Sequence, residues 1–99
     1  MDIEFSLTQE QKEQVQASVD EIDELLELAE EAIRNEDKEE ALRYFDSAGA
    51  SVEELDVIFK DVDGYPEQKD FWRSGMQAVK EGRMEEAVED MRKFIENFK

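Results

Sequence analysis

Ninety-nine residues fit one domain, residues 1–99, large enough for a core but only marginally stable. The formal net charge of −17, from 29 acids against 12 bases, repels nucleic acid and anionic lipid and attracts basic proteins. There is no cysteine and no histidine, which removes thiolate chemistry, a disulfide framework and the commonest general base and metal ligand.

The apolar fraction, 39%, is too high for a wholly disordered acidic chain. The start, Met1-Asp2-Ile3-Glu4-Phe5, lacks the basic-then-apolar order of a signal peptide. No apolar run approaches membrane-spanning length. These features point to a cytoplasmic protein that binds neither membrane nor nucleic acid directly.

Thr8-Gln9-Glu10-Gln11 reads as a capping box, with Ser6 as a rival N-cap. From there Val15, Val19, Ile22, Leu26, Ala29 and Ile33 recur at spacings of three and four, a heptad seam widened by Leu25, Leu28 and Ala32. This predicts a first helix over 8–34. Asn35-Glu36-Asp37 interrupts the stripe as a turn.

The second helix is predicted over 38–62, on Ala41, Phe45, Ala48, Val52, Leu55, Phe59 and Val62. The small residues Ser47 to Ser51, and a second capping box at Ser51-Val52-Glu53-Glu54, predict a kink or break near Gly49. The seam runs through it, so a continuous helix stays open. Asp63-Gly64-Tyr65-Pro66 is the strongest loop signal.

A third helix is predicted over 68–81, carrying Phe71, Gly75, Ala78 and Val79 and ending at Glu81-Gly82. The fourth, over 83–98, carries Met84, Ala87, Val88, Met91, Phe94, Ile95 and Phe98. No segment alternates with period two. The expected fold is an all-α antiparallel bundle of four to five helices, built from hairpins 8–62 and 68–98.

The hairpins share a pattern. Leu25, Leu28, Ala29 and Ala32 lead to Ala41, Phe45 and Ala48; Phe71, Gly75 and Ala78 lead through Gly82 to Ala87, Met91 and Phe94. Glu39-Glu40-Ala41 and Glu85-Glu86-Ala87 follow the two turns. Over about residues 22–98 this resembles the tetratricopeptide repeat, whose small residues let two short helices pack closely. The alanines stand 46 residues apart rather than 34, the closing proline is missing, and Glu36 falls where the pattern wants a turn glycine. The resemblance implies peptide or protein binding.

Two surfaces are candidate sites. Asp20, Glu21, Asp23, Glu24, Glu27, Glu30 and Glu31 cover the solvent face of the first helix, where no base occurs between Lys12 and Arg34. Such a face solubilises the chain or docks a basic partner; a face built for solubility alone usually mixes both signs. Tyr65, Trp72 and Arg73 are expected either to line a groove between the hairpins or, for Trp72, to cap the core.

Asp61-Val62-Asp63-Gly64 opens like a calcium loop but lacks the third ligand and the closing Glu. Carboxylates are plentiful, yet every acid cluster sits off the apolar stripe, where nothing raises a pKa for acid–base work. No catalytic residue, metal or cofactor is therefore expected.

Three functions fit. One is a small acidic adaptor or chaperone using a helical groove and the acidic docking face. Another is a nucleic-acid mimic that offers carboxylates where phosphates would sit, inhibiting a DNA- or RNA-binding protein. The third is a structural homo-oligomer subunit, if the first heptad seam is exposed and pairs with itself.

Overall fold

The computed structural model describes residues 7–60 and 62–98. Four helices follow one another within them: α1, Gln9–Arg34; α2, Lys38–Phe59; α3, Tyr65–Lys80; and α4, Met84–Glu96. Among the described residues there is no strand. The all-α expectation holds, with four helices in two hairpins.

α1 starts where its capping box dictates. The Gln11 amide donates to Thr8 Oγ1 at 3.1 Å, and the Thr8 amide donates to Gln11 Oε1 at 3.0 Å. The rival cap, Ser6, lies outside the described residues. The α1–α2 turn ends with Asp37, whose Oδ1 accepts the Glu40 amide at 3.2 Å and so satisfies an orphan donor of α2.

Of the two outcomes left open for α2, the structure has the continuous helix rather than a break. It runs unbroken through Gly49, and the Ser51 capping box is not used. Ala48, Ser51 and Val52 are all buried, so this segment packs as one helical face. That burial outweighs the roughly 1 kcal/mol that a mid-helix glycine costs.

α3 begins three residues before the expected Gln68. Gly64 takes a left-handed conformation, φ 92°, as its N-cap, and Pro66 lies in the first turn. Proline suits that turn because its missing N–H would have had no partner there. The buried face is Tyr65, Gln68, Trp72, Gly75, Ala78 and Val79. Phe71, expected in the core, is instead 37% exposed. It stands about 100° around the helix from Trp72, which takes the core position.

α1 packs on α2, α3 packs on α4, and α1 also packs on α4, which joins the hairpins. α2 and α3 approach too little to pack backbone to backbone. The core is continuous from Val15 to Ile95, and the heptad seam of α1 is spent inside it. Ile33, at the end of that seam, is only half-buried. At one end of the molecule Phe59, Tyr65, Phe94 and Phe98 form an aromatic cluster, with ring centroids 5.2–6.3 Å apart.

Small residues are among the most deeply buried. Ala41 and Ala87 are fully buried. A Cβ on Gly75 would lie 2.8 Å from Met91 Cγ and 3.1 Å from the Ala87 carbonyl oxygen, so only glycine lets α3 sit this close to α4.

Candidate functional site

α1 buries Val15, Val19, Ile22, Leu26, Ala29 and Ala32, so its acids must face elsewhere. Asp20, Glu21, Glu24, Glu27 and Glu31 are exposed; Asp23 and Glu30 are half-buried on the flank towards α4. The exposed positions 20, 24, 27 and 31 recur at four, three and four residues, a row about 16 Å long on one side of the helix.

Arg92 of α4 divides this surface. Its guanidinium donates to Glu30 Oε2 at 2.9 Å and lies 4.0 Å from Asp23 Oδ1. Arg34 donates to the other Glu30 oxygen at 2.9 Å. The hydrogen bond from Arg34, with the charge and hydrogen bond of Arg92, holds the Glu30 carboxyl below its ordinary range against a smaller desolvation effect. Glu30 and Asp23 thus join the hairpins. Among the described residues, Glu21, Glu24, Glu27 and Glu31 have no ion-pair partner. A shallow cleft of about 630 Å³ lies beside Glu30, between the end of α1 and the start of α4, with Arg34, Glu85, Glu89 and Arg92 on its walls.

The aromatic candidates are placed differently from a groove lining. Tyr65 is 4% and Trp72 5% exposed, both within the core. Trp72 packs against Phe94 at 5.8 Å between ring centroids. Arg73 is exposed and pairs with Asp70 at 3.1 Å on its own helix. The three do not form one surface. Trp72 still contributes an edge to a cleft between α2 and α3.

Beside that cleft is a network that sequence reasoning does not single out. Asp56 of α2 accepts hydrogen bonds from the Tyr65 hydroxyl and from Lys69 Nζ, the latter at 2.6 and 2.8 Å. Burial, with the Asp56 carboxylate beside it, pushes the Tyr65 phenol well above its ordinary pKa. Neither Arg92 nor Lys69 lies on an apolar stripe or in a charge run. Their roles depend on which helix comes to face them, which no local pattern carries.

No ligand geometry for a metal accompanies these surfaces. Asp61, the first residue of the calcium-like stretch, lies outside the described residues. Among the described residues no group of three or more carboxylates is gathered closely enough to hold a metal ion. No helix among them is long and apolar enough to cross a membrane. No protein-family model, curated protein or solved structure matches the chain.

Proposed function

We propose that this chain is a non-enzymatic cytoplasmic protein-binding module, an adaptor or chaperone whose acidic α1 face steers and docks a basic protein partner. One observation carries the reading. After Arg34 and Arg92 have engaged Glu30 and Asp23, an outward row of carboxylates still stands exposed, with no cation paired to it among the described residues. Like charges at these spacings weaken a helix by a few tenths of a kcal/mol each, and among the described residues no cation pairs with Glu24, Glu27 or Glu31. The matching turns of the two hairpins, 46 residues apart, support the tetratricopeptide-like part of the reading.

The mimic reading is less well supported. Its row of carboxylates would need to be continuous, and Arg92 interrupts the acidic surface along its α4 side. Homo-oligomerisation through the α1 seam has less support still, because that seam is buried within the chain.

The test is affinity capture from native cell extract at low and high salt, with wild type and a Glu24→Gln, Glu27→Gln, Glu31→Gln variant. Glutamine keeps size and helix propensity nearly constant. For an adaptor, the variant slows association with the captured partner, and the difference shrinks as salt rises. For a mimic, equilibrium affinity itself collapses. Unchanged rate and affinity overturn both and leave solubility as the role of the face.

A further inference from the structure

Two hydrogen bonds fix how α1 is turned. On one flank Glu30 accepts from Arg92 of α4, and on the other Ser18 donates to Glu54 of α2 at 3.0 Å. At about 100° per residue, Leu25 lies within about 20° of Ser18, and Leu28 lies about 60° further out towards solvent. Leu28 is 37% exposed, and no other large apolar side chain of α1 is exposed. Glu24 stands one turn before it and Glu31 one turn after, so this leucine borders the outward row of carboxylates.

A single surface leucine needs no explanation, but this one has apolar neighbours. Leu25 is half-buried one turn before it, and Tyr44 of α2 is half-buried as well. The Tyr44 hydroxyl donates to Glu40. That bond first, then desolvation and the charges of Glu40 and Glu31, holds the phenol above its ordinary pKa. The influence of Glu31 places Tyr44 beside the end of α1 that carries Leu28. Glu40 is engaged by Tyr44 and by Arg43, the latter at 3.8 Å. Among the described residues Glu24, Glu27 and Glu31 have no such cation.

Resting on the docking reading above, we propose that the partner of the acidic face is an amphipathic basic helix anchored on Leu28. An apolar side chain of that helix seats on Leu28 and Leu25 beside the Tyr44 ring. Its lysines or arginines meet Glu24, Glu27 and Glu31. These acids recur at three and four residues, the spacing at which a second helix presents its own side chains along one face. Rim charges steer association more than they hold it. Holding falls to an apolar anchor ringed by polar groups. Acids alone would take any polycation; Leu28 selects one with an apolar side chain beside its charges.

The probe is a synthetic Lys/Leu/Ala peptide of about 15 residues, the length at which an isolated helix begins to hold. Lysines stand at i, i+4 and i+7, with leucines on the flank beside them. Its control replaces each Leu by Ala and keeps every charge. Binding is read by fluorescence anisotropy at about 0.15 M and about 1 M NaCl, where the Debye length is about 8 and 3 Å. Its location is read from the NMR shifts of the Leu28 methyls and the Tyr44 ring. The protein variants are Leu28→Gln, the conservative Leu28→Met, and Glu24→Gln with Glu27→Gln and Glu31→Gln. Far-UV circular dichroism and melting temperature confirm that each is folded, and the comparison of the two peptides needs no variant at all.

Leu28→Gln should weaken the Leu-bearing peptide by about fivefold or more at both salt concentrations, and the Ala control by less than about twofold. Leu28→Met should bind as wild type does. The triple Gln variant should weaken both peptides, and that loss should shrink at about 1 M NaCl. Equal wild-type affinity for the two peptides would overturn the anchor and leave the docking reading standing. No binding of the Leu-bearing peptide at about 0.15 M NaCl would overturn the proposal as well. A loss at Leu28→Gln with none in the triple variant would overturn the docking reading, and the proposal with it. Concentration-dependent dimerisation in sedimentation velocity, abolished by Leu28→Gln, would put a second copy of the chain on Leu28 and overturn the proposed partner.

Discussion

Glu36 and Gly82 hold the same place in two equivalent turns. Each has a left-handed backbone, φ 59° and 81°. Each donates its amide to the carbonyl three residues back, Ile33 or Val79, at 3.1 Å. In each turn the next amide reaches further back, Asp37 to Ala32 at 2.9 Å and Arg83 to Ala78 at 2.8 Å. These are two Schellman closures, one built on glycine and the other on glutamate.

A non-glycine residue in the left-handed region costs about 1 kcal/mol. Glu36→Gly should therefore stabilise the fold by about 0.5–1 kcal/mol, and Gly82→Ala should destabilise it by a similar amount. Glu36→Gln separates the backbone effect from the lost charge. Urea denaturation checks the signs; a Glu36→Gly variant no more stable than the Glu36→Gln variant would mean that the turn stores no strain.

Gly49 and Gly75 should respond oppositely to the same change. Gly49→Ala should raise stability by about 0.5–1 kcal/mol, because the methyl meets nothing and the helix gains propensity. Gly75→Ala should lower it by about 1–3 kcal/mol through overpacking against Met91 and the Ala87 carbonyl. The pair is read from denaturation midpoints at fixed m-value.

Neighbouring aromatic residues on α3 should differ as widely. Trp72→Ala should cost about 3–5 kcal/mol, the range for a buried aromatic side chain. Phe71→Ala should cost less than about 1 kcal/mol, since Phe71 is 37% exposed. Comparable losses would return Phe71 to the core and rephase α3.

Mild acid should not simply relieve the acidic face. Crowded like charges alone would raise one another's pKa values and make acidification stabilising. Glu30 runs the other way: Arg34 and Arg92 hold its carboxyl below the ordinary 4.5. A depressed folded pKa contributes stability that is present above 4.5 and lost as pH falls through the folded value. Melting temperature should therefore fall below about pH 4.5, and Glu30→Gln should flatten that decline. A wild-type profile still rising there would show that repulsion outweighs the arginine contacts.

Tyr65 sets the alkaline limit. Its folded pKa is raised above 10, first by burial and then by its hydrogen bond to Asp56. That stability is fully present below pH 10 and is lost as pH rises through the folded value. Phenolate absorbance for Tyr65 should appear only as the chain unfolds. Tyr65→Phe should remove its share of the alkaline destabilisation.

Local chemistry alone determined much of this protein. The Thr8 box, the Asp37 cap and the three-four spacing of α1, α2 and α4 depend on residues a few positions apart, so they can be read along the chain. The exposure of Glu21, Glu24, Glu27 and Glu31 follows in the same way, as the far side of a buried stripe. The start of α3 was less legible, because Tyr65-Pro66 suits a loop and a first helical turn equally. Burial of the Tyr65 ring against Phe59 and Phe94 decided between them. Continuity of α2 through Gly49 was likewise a packing outcome. So were the Arg92–Glu30 contact, 62 residues apart, and the Asp56–Tyr65–Lys69 network. Such pairings depend on which helix faces which, a property of the whole core that no stretch of sequence a few turns long contains.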